Sequence, residues 1–209
     1  MRDYLSDPAE IYRRSFATIR AEADLSGFAA AARPIAERVI HACGMTDIVG
    51  DLRISGDLPG AIARALKAGK PIFTDSEMVR QGIIARSLPA NVEIICTLND
   101  PRARELGLGR QITRSAAAVS LWLPRLKGAV AVIGNAPTAL FALLEALDAG
   151  ADRPAAIVGM PVGFIGAQES KDELAQNPRG VPFATILGRR GGSAMASSVI
   201  NAVAAELSP

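Results

Sequence analysis

Ala129-Val130-Ala131-Val132-Ile133-Gly134-Asn135-Ala136-Pro137-Thr138-Ala139-Leu140 decides the fold. Its first five residues are continuously apolar, the pattern of a strand covered on both faces. Gly134 to Pro137 is turn chemistry, and Pro137 suits the first turn of a helix, where its missing N–H costs nothing. The apolar stretch that follows runs to Gly150, which stands where a glycine just past a helix belongs. A second apolar run, Ala155–Val158, comes next. Strand, turn, helix and strand in this order form a βαβ unit and predict a parallel sheet.

The same alternation extends in both directions. Candidate strands are Leu52–Ile54, Pro71–Thr74, Val92–Thr97, Ala129–Ile133, Ala155–Val158 and Phe183–Leu187. Helices are expected between them near 59–68, 76–82, 101–106, 113–126, 137–149, 167–176 and 192–206, with Gly69 as a second glycine past a helix end. Upstream, Asp7-Pro8-Ala9-Glu10 supplies an N-cap, a Pro at the first helical position and an acid in the first turn. Ile11, Ser15 and Ile19 then recur every fourth residue beside Tyr12 and Phe16, so Ser15 lies on the buried stripe. A serine there commonly bonds back to its own helix. A second helix starts near Pro34, carries Ile35, Val39 and Ala42 on its apolar face, and ends at Gly44. The expected architecture is a single α/β domain over 1–209, a doubly wound, mostly parallel sheet with helices on both faces.

Composition limits the function classes. The chain has 209 residues, 49% of them hydrophobic, and can bury a sizeable core. Its basic and acidic residues number 23 and 21, so no nucleic-acid signature is present. Met1-Arg2-Asp3-Tyr4-Leu5-Ser6 has no apolar run of a secretory signal. No uninterrupted apolar segment reaches the ~20 residues needed to cross a bilayer. A cytoplasmic protein without a membrane segment is expected. Cys43, Cys96 and one histidine do not make a metal set.

In open parallel sheets, ligands bind outside the carboxyl ends of the strands. Several polar or glycine-rich segments fall there: Thr74-Asp75, Gly134-Asn135-Ala136-Pro137-Thr138, Gly159-Met160-Pro161-Val162-Gly163-Phe164 and Gly188-Arg189-Arg190-Gly191-Gly192. Each precedes a helix, whose free N–H groups and positive dipole end favour anions. Singly they are ordinary punctuation; gathered on one rim they mark a site. Nucleotide motifs fit poorly, because the turn at Gly134 lacks the spaced glycines of G-x-G-x-x-G and no P-loop is present. His41, the only histidine, sits in the last turn of its helix, where the dipole favours imidazolium. Arg38, one turn earlier, opposes that charge unless an anionic ligand lies between them.

Arg38-Val39-Ile40-His41, Thr113-Arg114-Ser115-Ala116-Ala117, Ile133 to Leu140, Gly159 to Ala167 with Glu169-Ser170-Lys171, the Gly188–Ser193 turn and the opening Ile11 to Phe16 together resemble the precorrin-8X methylmutases. The motifs run in the family's order over nearly the whole chain. The resemblance implies an isomerase of cobalamin biosynthesis that moves a methyl group from C-11 to C-12 of a carboxylate-bearing tetrapyrrole, a 1,5-sigmatropic shift giving hydrogenobyrinate. It implies no cofactor and no metal, a homodimer with the site near the subunit interface, tightly held product, His41 as catalytic acid, and contacts from Ser15 and Arg38. Rim residues Thr74, Asp75, Arg114, Asn135, Thr138, Gly163, Phe164 and Arg189 complete the expected substrate site, with Arg38, Arg114 and Arg189 suited to clamping carboxylates. A non-catalytic tetrapyrrole- or anion-binding protein and a nucleotide-dependent α/β enzyme are the competing classes. The metal-free and cobalt-containing variants of the family share these motifs.

Overall fold

A computed structural model describes residues 4–207; Met1–Asp3, part of the opening segment read for a leader, and Ser208–Pro209 lie outside it. Helices α1 (Pro8–Glu22) and α2 (Arg33–Cys43) lead into strand β1 (Leu52–Ile54). The alternating part follows: α3 (Leu58–Lys67), β2 (Ile72–Thr74), α4 (Glu77–Gly82), β3 (Ile94–Cys96), α5 (Pro101–Arg110), α6 (Arg114–Ser120), β4 (Val130–Ile133), α7 (Pro137–Asp148), β5 (Ala156–Gly159), α8 (Ala167–Gln176), β6 (Phe183–Ile186) and α9 (Ser193–Leu207).

The strands form a six-stranded sheet in the order β1-β6-β5-β4-β2-β3. All neighbours are parallel except β1, which runs antiparallel to β6 at the edge, Leu52 opposite Ile186. Adjacent residues of the central strands enter opposite cores. Ile72, Val130, Val132, Ala156 and Val158 pack toward α2, α3, α4 and α9. Phe73, Ala131, Ile133 and Ile157 pack toward α6, α7 and α8. This two-sided burial explains why the strands read as unbroken apolar runs rather than alternating ones. Complete burial of a Val, Ile or Leu is worth ~1.5–3 kcal/mol, and Val130 to Ile133 are all fully buried.

Two helices differ from expectation. The segment 113–126 does not stay helical: α6 stops at Ser120 and Leu123–Arg125 forms a separate 3₁₀ turn. Pro124 is the reason, since it has no N–H to give to Ser120 and its ring crowds that carbonyl. Trp122 at the break is fully buried, stacks on Phe73 at 5.5 Å and donates its indole N–H to Thr97 at 2.8 Å. Helix α5 runs on past residue 106 to Arg110 despite two glycines; Gly107 is a packing position, where a Cβ would come 3.2 Å from the Ile112 carbonyl. The apolar helix α7, a candidate for core or interface, buries Ala139, Leu140, Leu143, Leu144 and Leu147.

Helix α4 leaves β2 toward one face and α7 leaves β4 toward the other. The chain therefore diverges between the carboxyl ends of β2 and β4, which is where a doubly wound sheet opens a crevice for ligands.

Candidate active site

Helix α1 begins on Asp7, whose carboxylate accepts the Ala9 N–H at 3.1 Å, and it buries Phe16 and Ile19. That burial brings Ser15 onto the end of α2. Ser15 Oγ lies 2.9 Å from His41 Nδ1, and the Phe16 ring stacks on the imidazole at 5.0 Å. Ser15 therefore faces another helix rather than bonding to its own. Helix α2 closes on Gly44, at φ +69, whose N–H reaches the Ile40 carbonyl at 2.8 Å. Only glycine adopts that turn freely, and it leaves His41 exposed in the last helical turn.

Arg38 donates to Tyr12 Oη at 2.8 Å, and its guanidinium lies 5.9 and 5.8 Å from the Tyr12 and Phe16 ring centroids. Among the described residues it has no carboxylate partner, unlike Arg20, which pairs with Glu37 at 2.8 Å. Two hollows flank it. One, of about 260 Å³, is lined by Arg38, His41, Gly82, Ser197, Ser198 and Asn201. The other, of about 420 Å³, includes Tyr12, Phe16, Arg20 and Glu37. Asn201 fixes the wall of the first by accepting the Ile84 N–H at 2.8 Å and donating to the Gly82 carbonyl at 2.9 Å. Ser197 and Ser198 bond back to carbonyls of α9.

At the divergence between β2 and β4 stands Asp75, 2% exposed. Its carboxylate accepts the N–H groups of Gly134, Asn135 and Ala136 at 3.0, 2.9 and 2.7 Å. Burial pushes this carboxyl group up, while the same three N–H groups pull it down. Thr74 is fully buried. Both residues were expected to touch a ligand; both lie beneath the rim, and the oxygens of Asp75 are committed to backbone. The N–H groups of the turn that leads into α7 are thus already satisfied by an internal acid. Gly134 is pressed against α9 and α4, where a Cβ would lie 2.9 Å from Ser193 Cα and Val79 Cγ2. Asn135 and Thr138 remain half-buried on the rim above Asp75. Thr138 Oγ1 meets Thr113 Oγ1 at 2.8 Å, and Thr113 caps α6 by accepting the Ala116 N–H at 3.1 Å.

Farther along the rim, the loops after β5 and β6 are tied together. Gly192 N–H donates to the Met160 carbonyl at 2.8 Å and Gly163 N–H to the Arg189 carbonyl at 3.3 Å. Any side chain at Gly191 would collide with the carbonyls of Met160 and Pro161. Phe164 is 81% exposed and lies 5.4 Å under the guanidinium of Arg189. Arg190 turns the other way and pairs with Asp47 and Asp51, each at 2.6 Å.

The expected residues therefore fall into distinct groups: Ser15, Arg38 and His41 at the α1–α2 contact; Thr74, Asp75, Asn135 and Thr138 at the divergence; Gly163, Phe164 and Arg189 on the paired loops. Arg114 is in none of them. Its side chain lines a separate cavity of about 530 Å³ with Asn99, Arg104 and Glu105. Tyr12 and Phe16 were read only as helix-face residues, yet they hold Arg38 and His41; their four-residue spacing on the Ser15 face was the available signal. Asn201 carried no signal, because its partners are 117 and 119 residues away in sequence.

Comparisons with known proteins agree over most of the chain. A family model described as CbiC, precorrin-8X methylmutase, matches residues 10–206. The precorrin-8X methylmutase of Pseudomonas aeruginosa is 54% identical over 206 residues, covering 99% of both chains. The cobalt-precorrin-8 methylmutase of Priestia megaterium is 32% identical over 197 residues, 94% of this chain and 87% of that protein. Among solved structures, the precorrin-8X methylmutase of Thermus thermophilus superposes with a TM-score of 0.85 at 34% identity, covering 94% of this chain and 95% of that one.

Proposed function

The chain belongs to the precorrin-8X methylmutase family, isomerases of cobalamin biosynthesis that move a methyl group from C-11 to C-12, and on that premise we propose that His41 is the acid of the reaction. The C-11 to methyl bond breaks and the C-12 to methyl bond forms, with the π-electrons of the macrocycle shifting to balance them. No atom is gained or lost, so the protein needs neither a nucleophile nor an oxidant. It must hold the ring in one geometry and bias its electron distribution.

The observation that carries this reading is the Ser15–His41 contact of 2.9 Å at Nδ1. With Nδ1 engaged, Nε2 is the nitrogen left for a ligand. In the imidazolium both ring nitrogens donate, so Ser15 Oγ accepts from Nδ1 and Nε2–H faces a ring nitrogen of the substrate. Phe16, stacked on the imidazole, restricts its rotation. A positioned general acid contributes ~100- to 10,000-fold, and orientation in a reactive geometry supplies up to ~7–11 kcal/mol.

Carboxylate side chains of the tetrapyrrole suit Arg38 and Arg189, both lacking a carboxylate partner among the described residues. Asn135, Thr138, Gly163 and Phe164 supply polar and apolar rim contacts. Thr74 and Asp75 act by shaping the turn that presents Asn135. Arg114 serves an outer carboxylate or a neighbouring subunit. A homodimer is supported by the exposed apolar pair Phe164 and Ile165, the latter 88% exposed. A single domain and a cytoplasmic location complete the proposal; no helix among the described residues is long and apolar enough to cross a membrane.

Relatives at 54% identity carry the metal-free substrate in their names, whereas those named for the cobalt form are 30–39% identical. Metal-free precorrin-8X is therefore the proposed substrate. Purified enzyme is given metal-free and cobalt-containing substrate in parallel, and the methyl shift is followed by the visible spectrum. A higher kcat/KM for the cobalt form would reverse the assignment, and no turnover of either would sink the function.

A further inference from the structure

We propose that Lys171 is a positioning residue for substrate binding, its ammonium holding the turn between β6 and α9 from beneath so that Arg189 faces the ligand. This rests on the reading of Arg189 as a substrate contact. Lys171 belongs to the Glu169-Ser170-Lys171 segment, to which the reaction itself assigns no role. Its side chain is fully buried and so cannot touch substrate. Nζ donates to the Arg190 carbonyl at 2.5 Å, and no carboxylate lies within ion-pair distance of it among the described residues.

A buried ammonium held by a backbone carbonyl is costly, and a neutral residue would pack at lower cost. What the charge provides is a fixed point in the turn. Arg190 is gripped twice: its carbonyl by Lys171 and its guanidinium by Asp47 and Asp51. Next to it the Arg189 carbonyl accepts the Gly163 N–H at 3.3 Å, while its guanidinium lies over the Phe164 ring and has no carboxylate partner among the described residues. With the guanidinium gripped at one arginine and unpaired at the next, the turn leaves the second guanidinium available to a ligand. The charged groups around Lys171 are Asp172 on its own helix, Asp51 before β1, and Arg190; Asp47 and the half-buried Cys43 thiol lie near Arg190. Burial lowers the lysine to about 8, so the ammonium is lost in an accessible range.

The test is a double-mutant cycle on affinity for hydrogenobyrinate, read by visible absorbance, together with kcat and KM. Lys171→Met is expected to weaken product binding and raise KM by about tenfold, since a displacement of about 1 Å in a binding group can cost more than that. Its kcat changes by less than about threefold, because His41 is untouched. In an Arg189→Ala background, Lys171→Met adds less than about twofold, as expected of residues acting through one contact. Losses that multiply overturn the role of Lys171 while leaving Arg189 in the site. Unchanged affinity in Arg189→Ala overturns the reading of Arg189 itself, and the positioning role with it. If Lys171→Met does not fold, the wild type decides: its product affinity falls as pH rises from about 7 to about 9, and Arg189→Ala removes that fall. Affinity flat across this range, or a fall that persists in Arg189→Ala, overturns the proposal.

Discussion

Replacing Asp75 tests the least visible part of the site. The substitution Asp75→Ala strips the acceptor from the N–H groups of Gly134, Asn135 and Ala136. Hydrogen bonds to a charged group are worth ~1.5–3 kcal/mol each, so three contribute up to ~4.5–9 kcal/mol. Against this stands the cost of keeping a carboxylate 2% exposed, which Ala relieves. Removing one partner from a buried charged cluster costs ~3–5 kcal/mol on balance, and that is the expected loss for Asp75→Ala. Asp75→Asn retains volume and one acceptor but turns an amide N–H₂ toward backbone donors, so it loses ~2–3 kcal/mol. Domains of this kind are stable by only ~5–15 kcal/mol, so either loss is large enough to measure. The assay is urea unfolding followed by the fluorescence of Trp122, the only tryptophan and fully buried. Product affinity measured on the folded variant should also fall, because Asn135 and Thr138 ride on the turn that Asp75 holds. A loss below ~1 kcal/mol for Asp75→Ala, with affinity unchanged, would refute both the energetic reasoning and the turn-shaping role.

Other outcomes follow from the same geometry. His41→Ala should lose ~100- to 10,000-fold in turnover while binding product within about threefold of wild type; normal turnover would remove His41 from the mechanism. Ser15→Ala should lower kcat by roughly tenfold with little change in KM, since it frees the imidazole without touching carboxylate contacts; a rise in KM alone would make Ser15 a substrate contact instead. Gly191→Ala should lower the thermal midpoint and weaken product binding, because any Cβ meets the Met160 and Pro161 carbonyls; an unchanged midpoint would mean the two loops move apart freely. Lys171, lowered by burial from 10.5 to about 8, should show in the pH dependence of stability. Below about 8 the lysine is protonated in both states and the burial cost is complete; between the two values the unfolded chain binds more protons, so wild-type stability rises with pH relative to Lys171→Met. A flat difference would mean that Lys171 is not depressed.

Much of the fold was legible because it rests on local pattern. The apolar runs Ala129–Ile133 and Ala155–Val158, bounded by turn residues, read as strands buried on both faces and form β4 and β5 within one residue of those bounds, and Gly44, Gly69 and Gly150 lie at positive φ past their helices as placed. The break in 113–126 also has a local cause, since Pro124 cannot continue the helix. The site was legible in part. Its rim segments and the place of His41 in a last helical turn could be read because turn chemistry and helix ends are local, and the motif series named the family. Long-range contacts were not legible. Nothing in Thr74-Asp75 says that the acid turns inward to β4 rather than outward, and nothing near residue 201 says that an asparagine there ties down Gly82. Arg114 shows a different limit, since a motif position carries no distance and the fold places that side chain in a cavity apart from the other expected residues.

Arg38 has a consequence for time as well as for affinity. Its guanidinium rests on the rings of Tyr12 and Phe16 and on one phenol oxygen. An arginine already paired with an internal acid exchanges partners when a ligand leaves, and the acid softens the departure. Here no acid is paired with it among the described residues: Glu37, in the same hollow, is held by Arg20. On the proposed reading, a departing carboxylate leaves behind a cation that keeps only its aromatic and phenol contacts and water, in a partly enclosed hollow. Differences in affinity among related complexes reside mostly in the dissociation rate, so Arg38 is placed to lengthen residence. If Arg38 meets a substrate carboxylate as proposed, its aromatic seat slows the parting of product from the enzyme and shelters it until the next catalyst arrives.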